Sequence, residues 1–254
     1  MPSVTIRFYE ELNDFLPENR RKQPRGLEFA PGCTAKAIIE DAGVPHTEVD
    51  LILANGRSVG FEYRLGDGDF LSVYPVFESL DIGELSRVRA IPLREPRFAV
   101  DVHLGKLARL LRMCGFDALY ENDSSDEALV RTARREKRII LTRDRGLLKR
   151  RIVTHGLLLR SLVPREQLAQ VLRRFDLGGR VRMFSLCIVC NVPIERVDKA
   201  AVMTLLPPVV AAAYADFSRC PRCGRVFWSG THWERMKRLA AEVLEGYPSS
   251  QTIG

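Results

Sequence analysis

Two Cys-x-x-Cys pairs constrain the fold of this chain more than any other feature. The first pair is Cys187 and Cys190, and the second is Cys220 and Cys223. Four thiolates in two short-spaced pairs match the tetrahedral coordination of Zn²⁺, and Gly224 follows the second pair, where a tight turn needs a residue that tolerates positive φ. The pattern predicts a structural zinc, because four cysteines leave no position for water or substrate. Two disulfides, or four unrelated core cysteines, are the alternative.

The distribution of charge divides the 254-residue chain into two parts. Residues 1–95 hold 11 Lys or Arg against 16 Asp or Glu, whereas residues 96–254 hold 28 against 16. This asymmetry indicates separate domains with separate partners, and the basic part has the electrostatics of a nucleic-acid binder. A solvated basic surface is the alternative interpretation.

The sequence also indicates where the chain resides. It contains neither an 18-residue apolar run nor a basic start followed by an apolar stretch, so we expect no membrane span and no signal peptide. Six cysteines, four of them in metal-type spacing, suit a reducing compartment. The expected location is therefore the cytoplasm.

Residues 1–80 have the pattern of a small β-grasp, ubiquitin-like module. Alternating apolar residues and turn signals predict the order strand, strand, helix, strands, with the helix capped by Thr34. The motifs LGDGDF at 65–70 and YPV at 74–76 make this part resemble the ThiS/MoaD sulfur carriers. Those carriers end in a free Gly-Gly tail, whereas this chain continues, so sulfur carriage is not expected.

From residue 97 onward, short apolar strands alternate with helices. Strands are expected at 98–100, 118–120, 139–141 and 156–159, and a capping box of Ser124 and Glu127 is expected to begin the helix after the second strand. This alternation predicts a parallel α/β sheet whose functional edge lies at the carboxyl ends of its strands.

Three aspartates are expected near that edge. Asp101 and Asp144 each follow an apolar strand, and Asp126 lies near the start of the helix after the second strand. Converging carboxylates in a basic domain suit Mg²⁺ or Mn²⁺, which prefer oxygen ligands and activate water at a scissile phosphate. The alternatives are a helix cap for Asp101, a helix-dipole contact for Asp126 and a turn for Asp144. Asp123 competes with Asp126 for the same role.

Basic side chains near these aspartates are candidates for binding the phosphates of RNA. They are Lys106, Arg109, Arg112, Arg143 and Arg145. Beyond the second cysteine pair, His232 either contacts a phosphate or has a packing role. Trp228 and Trp233 flank it and either stack on bases or cover the core of the zinc ribbon.

Several motifs within residues 97–240 are similar to the Mut-seven C-terminal RNase family, a PIN-like nuclease domain with a zinc ribbon. The motifs are FAVD at 98–101, LGKLAR at 104–109, GFD at 115–117, SDE at 125–127, LTRDR at 141–145, CPRCG at 220–224 and WSGTH at 228–232. The resemblance implies that Asp101, Asp126 and Asp144 form the acidic centre. It also implies that the β-grasp is a fused ubiquitin-like module.

The predicted fold class is therefore α/β, in five parts. They are a β-grasp domain at 1–80, a linker at 81–96, a PIN-like nuclease domain with a parallel sheet at 97–178, a zinc ribbon at 179–240 and a tail at 241–254.

The predicted function is metal-dependent hydrolysis of RNA, including tRNA or other structured RNA. The expected cofactors are structural Zn²⁺ and catalytic Mg²⁺ or Mn²⁺. The acidic β-grasp is expected to recruit a protein partner or to mask the basic surface. The alternative is a non-catalytic RNA-binding adaptor in which the aspartates are structural.

Overall fold

The computed structural model describes residues 1–75, 86–88, 96–150 and 152–245. Most of the predicted linker at 81–96 and of the predicted tail at 241–254 lies outside the described residues. The chain divides into two compact units. The first combines Met1–Glu95 with Arg134–Leu158, and the second combines Pro96–Ala133 with Leu159–Gly254. Residues 134–158 thus group with the N-terminal module, and the predicted domain limits stay a prediction.

The regular elements are numbered along the chain. The strands are β1 (Ser3–Phe8), β2 (Arg25–Glu28), β3 (Val49–Ala54), β4 (Arg57–Val59), β5 (Asp69–Pro75), β6 (Phe98–Val100), β7 (Ala118–Tyr120), β8 (Ile139–Thr142), β9 (Gly156–Leu158), β10 (Glu195–Val197), β11 (Phe217–Arg219) and β12 (Val226–Phe227). The α-helices are α1 (Ala35–Asp41), α2 (Gly105–Met113), α3 (Asp126–Arg135), α4 (Arg145–Lys149), α5 (Pro164–Arg174), α6 (Lys199–Val202), α7 (Pro208–Ala213) and α8 (Thr231–Glu245).

The N-terminal module is a five-stranded sheet with the strand order β2-β1-β5-β3-β4. β1 and β5 run parallel, and the other neighbouring strands run antiparallel. Thr34 caps α1 as predicted, with its Oγ1 accepting the N–H of Ala37 at 3.3 Å. Asn55 and Gly56 both have positive φ, 49° and 81°, which the tight hairpin between β3 and β4 requires. The predicted β-grasp fold is confirmed.

The first unit also contains β8, α4 and β9. β8 and β9 pair in parallel, with Leu141 opposite Leu157. All seven residues of the two strands are buried, which explains why they read as short apolar runs without alternation. Among the elements of this unit, the 3₁₀ turn His46–Glu48 of the N-terminal module packs against both α4 and β9.

The second unit begins with a further parallel pair, β6 and β7. Leu107, Ala108 and Leu111 of α2 are buried at helical spacing, and Gly115 with φ 88° follows the helix. α2 packs against α5, and α5 packs against α8. These parallel pairs and intervening helices confirm the predicted α/β class.

The start of α3 differs by one residue from the prediction. Ser125, rather than Ser124, accepts the N–H of Ala128 at 3.3 Å and so occupies the capping position. Two consecutive serines offer the same hydroxyl to the helix start, so composition does not identify which one caps it. Asp126 is consequently the first helical residue.

The cysteine-rich region forms a small antiparallel sheet in the order β10-β11-β12. Its apolar core consists of Val202, Leu206 and Phe217, and Trp228 packs against this core. None of the helices that the structure describes combines the length and the apolar character that crossing a bilayer requires.

Candidate functional site

The four cysteines of the two Cys-x-x-Cys pairs lie together. The Sγ atoms of Cys187, Cys190, Cys220 and Cys223 are all within 4.8 Å of one another, and the Cys187 and Cys223 sulfurs are 3.8 Å apart. A tetrahedron of Zn–S bonds of about 2.3 Å has edges of about 3.8 Å, so the cluster has the dimensions of a zinc site. Among the described residues, this is the group of metal-ligating side chains that the fold assembles.

The two pairs have the same local backbone geometry. The N–H of Cys190 donates to Cys187 Sγ, and the N–H of Cys223 donates to Cys220 Sγ, both at 3.4 Å. The residue after each pair has a left-handed backbone conformation, with φ 71° at Gly224 and 58° at Asn191. The prediction for Gly224 is confirmed. Asn191 belongs to the motif residues that resemble the family, but no left-handed conformation was predicted for it, although asparagine is among the non-glycine residues that most readily take this conformation.

Backbone hydrogen bonds also favour a thiolate in the second pair. A hydrogen bond from the backbone N–H of Arg225 is the largest cause that lowers the pKa of Cys223, to about 7 from the ordinary value of 9.0, whereas burial raises the pKa values of Cys187 and Cys190. A thiolate is the form that ligates zinc, and binding of a cation drives the remaining protons from such a cluster. The donor set therefore fits Zn²⁺ by chemistry as well as by distance.

Arg112 ties the first cysteine pair to the α/β part of the second unit. Its side chain is buried, its Nε donates to the carbonyl of Ala118 at 2.8 Å, and its Nη1 donates to the carbonyls of Ile188 at 3.2 Å and Val189 at 2.8 Å. The prediction that Arg112 binds phosphate is not supported by this geometry, because the guanidinium is committed to three backbone carbonyls. Arg112 lies four residues after Ala108 and eight after Leu104, so helical spacing places it on the buried face of α2, a signal from which its burial could have been predicted.

Asn191 completes the same connection. Its Oδ1 accepts the N–H of Ala118 at 3.0 Å, and its Nδ2 donates to Asp117 Oδ1 at 2.6 Å. The residue that turns the backbone after Cys190 thus also binds the start of β7. We call the contacts of Arg112 and Asn191 with these segments the ribbon joint.

Asp101 and Asp144 occupy equivalent positions in the two units. Asp101 follows β6 and is buried, and its Oδ1 accepts the N–H of His103 at 3.1 Å. Asp144 lies just beyond the end of β8 and is exposed, and its Oδ1 accepts the N–H of Gly146 at 2.7 Å. Each carboxylate therefore caps the helical turn after a parallel strand. A helix cap is the alternative interpretation given for Asp101, whereas the alternative for Asp144 was a turn. A cap uses one oxygen as an acceptor and is compatible with metal ligation by the carboxylate.

Asp126 begins α3 and is half-buried, whereas Asp123 is exposed in the loop before that helix. An acidic residue in the first turn is favourable for the helix dipole, so the position of Asp126 agrees with its structural alternative as well. The described contacts leave the choice between Asp123 and Asp126 as metal ligand a prediction.

The other basic candidates are located as follows. Lys106, Arg109 and Arg143 are exposed. Arg145 donates from Nη1 to the carbonyl of Phe15 at 3.4 Å, and its guanidinium lies 5.4 Å from the centroid of the Phe15 ring. Arg145 is thus engaged with the N-terminal module, a contact that its sequence context did not indicate.

His232 is exposed in the first turn of α8. The ring of its neighbour Trp233 stacks on Phe184 at 5.2 Å, and Lys237 Nζ lies 5.0 Å from the Trp233 centroid. Trp228 lines the ribbon core, as one of its two interpretations predicted. Base stacking by Trp233 stays a prediction.

Comparisons with known proteins agree with this architecture. Residues 96–240 match the model of the Mut7-C RNAse domain, and residues 1–81 match the model of the Mut7-C ubiquitin domain. The comparison with curated proteins finds no match. Among solved structures, a candidate molybdopterin converting factor, subunit 1, from Pyrococcus furiosus is 17% identical and covers 30% of this chain and 100% of its own, with a TM-score of 0.25. Because the RNAse-domain match spans more than half of the residues, this chain belongs to the Mut7-C RNAse domain family and carries that family's ubiquitin-like domain at its N-terminus.

Proposed function

We propose that this chain is a metal-dependent ribonuclease that hydrolyses phosphodiester bonds of RNA in the cytoplasm. The observation that carries the proposal is the match of residues 96–240 to the Mut7-C RNAse domain. The position of an aspartate after each of the parallel strands β6 and β8 supports it, since the carboxyl ends of parallel strands are where α/β folds place their sites.

In the proposed mechanism, Asp101, Asp126 and Asp144 hold Mg²⁺ or Mn²⁺. Three carboxylates are a donor set that suits these oxygen-preferring ions. When bound, such an ion supplies an activated water and stabilises negative charge at the scissile phosphate. Asp101 and Asp144 are held in orientation by the hydrogen bonds that they accept from the backbone N–H groups of His103 and Gly146.

The remaining residues are proposed to bind the substrate. Lys106, Arg109, Arg143 and His232 are exposed and contact the phosphates of RNA, and Arg145 contributes less because it already contacts Phe15. Structural Zn²⁺ on the four cysteines maintains the ribbon that helps to hold structured RNA, such as tRNA. A protein partner is proposed to bind the N-terminal module through a face that is not used within the chain.

The test is cleavage of labelled single-stranded RNA and folded tRNA with Mn²⁺, Mg²⁺ or EDTA. The wild type is compared with Asp101→Asn, Asp126→Asn and Asp144→Asn. Asparagine is as good a helix cap as aspartate, so these variants remove charge while they retain the caps. We expect metal-dependent cleavage by the wild type and a loss of at least about 100-fold with Asp101→Asn and Asp144→Asn, the scale of removing one catalytic group.

Two controls sharpen this test. Asp198→Asn makes the same substitution at an exposed residue of the ribbon and is expected to cleave normally. Asp123→Asn decides between Asp123 and Asp126, since the metal ligand is the residue whose substitution abolishes metal-dependent cleavage.

The caps formed by Asp101 and Asp144 favour a second candidate, an RNA-binding adaptor in which both carboxylates are purely structural. An adaptor binds RNA with a strong salt dependence but leaves it intact with every metal. Intact RNA in all lanes, with binding retained and zinc content unchanged, therefore replaces the ribonuclease with the adaptor.

A further inference from the structure

The segment that follows Asp144 is bound to the N-terminal module, partly through its own side chains, which donate to backbone carbonyls of the module. Lys149 Nζ, at the end of α4, donates to the carbonyl of Glu40 at 2.7 Å, and Arg145, at its start, contacts Phe15. α4 has five residues, too few for a helix that is stable by itself. Its position therefore depends on what packs against it.

The main contact comes from the 3₁₀ turn His46–Glu48, which packs against α4 and β9. His46 and Glu48 are polar, yet only 5% and 6% of their surfaces are exposed. Burial of such groups is unfavourable unless each finds a hydrogen-bond partner, so this turn is committed to specific partners rather than to water.

Those partners are backbone groups of residues 153–158. His46 Nε2 lies 2.7 Å from the carbonyl of Val153 and donates to it, and Glu48 Oε1 accepts the N–H of Leu158 at 2.8 Å. Both hydrogen bonds are buried. On its other side, His46 Nδ1 lies 2.6 Å from Glu40 Oε1, so the ring is fixed at both nitrogens.

These contacts surround the element that Asp144 caps. Asp144 Oδ1 binds the N–H of Gly146 inside α4, and the last residue of β9 binds Glu48. A displacement of α4 therefore reorients the Asp144 carboxylate. We call the contacts made by Phe15, Glu40, His46 and Glu48 with residues 145–158 the β-grasp joint.

From these contacts we infer that the ubiquitin-like module is a fixed part of the nuclease fold, in which His46 and Glu48 are positioning residues that hold α4 and the Asp144 carboxylate. The inference rests on the proposed function where it concerns cleavage. It is an alternative to the prediction that this module masks the basic surface, which stays a prediction. The face around the turn His46–Glu48 is occupied within the chain, so a protein partner binds elsewhere on the module.

The experiment uses the full chain with Glu48→Ala, its conservative counterpart Glu48→Gln and the matched control Glu62→Ala, an exposed glutamate of the same module. Amide hydrogen exchange is followed at residues 143–158. We expect exchange there to be at least about tenfold faster with Glu48→Ala, because opening of this segment no longer breaks the buried Leu158 bond. Glu62→Ala is expected to match the wild type, and Glu48→Gln to recover part of the protection.

Cleavage kinetics provide the second readout. With Glu48→Ala, we expect kcat to fall about tenfold while KM changes less than twofold, since substrate contacts remain and only the orientation of Asp144 is lost. If Glu48→Ala does not fold, Lys149→Met tests the same joint from the other side.

If amide exchange at residues 143–158 is unchanged in both Glu48→Ala and Lys149→Met, the inference is overturned. Faster exchange with a wild-type kcat overturns the positioning role. If the wild type cleaves no RNA, the proposed function fails separately, and the exchange data alone decide whether the module holds α4.

Discussion

The two accessory parts of this chain are attached to its α/β elements by different chemistry. The ribbon joint uses Arg112, a permanent cation that donates to three backbone carbonyls, and Asn191. The β-grasp joint uses His46, a residue that titrates near neutral pH, and the carboxylate of Glu48.

This difference separates two kinds of sensitivity. Two of the carbonyls bound by Arg112 belong to the turn between Cys187 and Cys190, so the ribbon joint is expected to depend on a metal held by the four cysteines. The β-grasp joint contains none of the four cysteines. Its stability is instead expected to depend on pH through the protonation of His46. We therefore expect metal removal and acidification to loosen different joints.

The largest effect is expected from loss of a zinc ligand. Cys220→Ser removes one of four thiolates, and we expect zinc affinity to fall by more than the roughly 100-fold that loss of an outer-shell partner causes. Hydrogen exchange should increase at residues 182–228 and in α2 but not at 145–158. Cys33→Ser, in the N-terminal module, serves as the control. Equal loosening at 145–158 would show that the two joints are not independent.

The next largest effect concerns the cation of the ribbon joint. Arg112→Met removes hydrogen bonds to three carbonyls, and we expect the free energy of unfolding to fall by about 3 kcal/mol. Arg109→Met is the matched control on the exposed side of the same helix and should cost at most about 0.5 kcal/mol. Both values come from urea unfolding of the zinc-loaded protein. If the urea unfolding transitions of Arg112→Met and Arg109→Met coincide, Arg112 does not stabilise the ribbon joint.

Acidification should act on the β-grasp joint. Burial of the ring, followed by the charge of Lys36, lowers the pKa of His46 below 6.5, although the Val153 carbonyl and Glu40 oppose the shift. The unfolded chain then takes up this proton at a higher pH than the folded chain. The free energy of unfolding should consequently decrease as pH falls through about 6.5 and be fully retained above it.

Urea unfolding at several pH values between about 7.5 and 5.5, on either side of the ordinary histidine pKa, measures this effect. His46→Gln should show a weaker pH dependence than the wild type. Superimposable pH profiles would mean that His46 does not carry the effect, and the contrast between the joints would then rest on metal alone.

The smallest effect concerns basic residues that the joints leave available for RNA. Arg143→Met should reduce the slope of log affinity against log salt by about 0.7, the value for one phosphate contact on a single strand. Arg145→Met should reduce it less, because Arg145 already binds Phe15. Binding of labelled RNA across a salt series distinguishes them. A larger change at Arg145 would indicate that its contact with Phe15 gives way to RNA.

Local pattern was sufficient for most of the fold and for the four-cysteine cluster. Hairpin residues such as Asn55, the helix end at Gly115 and the turn at Gly224 are each determined within a few neighbouring residues, and all three have positive φ in the structure. The cysteine pairs were equally readable, because their spacing alone determines the shape of each turn.

The joints were not predictable from sequence, because their partners are remote. His46 binds a carbonyl 107 residues away, and Arg112 binds carbonyls 76 and 77 residues away. No local period identifies such a remote partner, so His46 had no assigned role and Arg112 was grouped with the candidates for phosphate binding. The roles of Asp101, Asp126 and Asp144 stay predictions, since a residue that caps a helix and one that ligates a metal have the same sequence signature.

The contact between Glu48 and Leu158 bears on whether the two family-matched parts of the chain can be exchanged independently. The match to the ubiquitin-like domain ends at residue 81, and the match to the RNAse domain begins at residue 96, so the sequence alone suggests two separable pieces. Yet a buried carboxylate of the first piece satisfies a backbone amide of the second. A chimera that takes its ubiquitin-like part from another protein would lose this hydrogen bond unless the donor sequence also supplies an acceptor there. The boundary between the two family matches is thus visible in the sequence, whereas the hydrogen bond from Leu158 to Glu48 joins residues on either side of it.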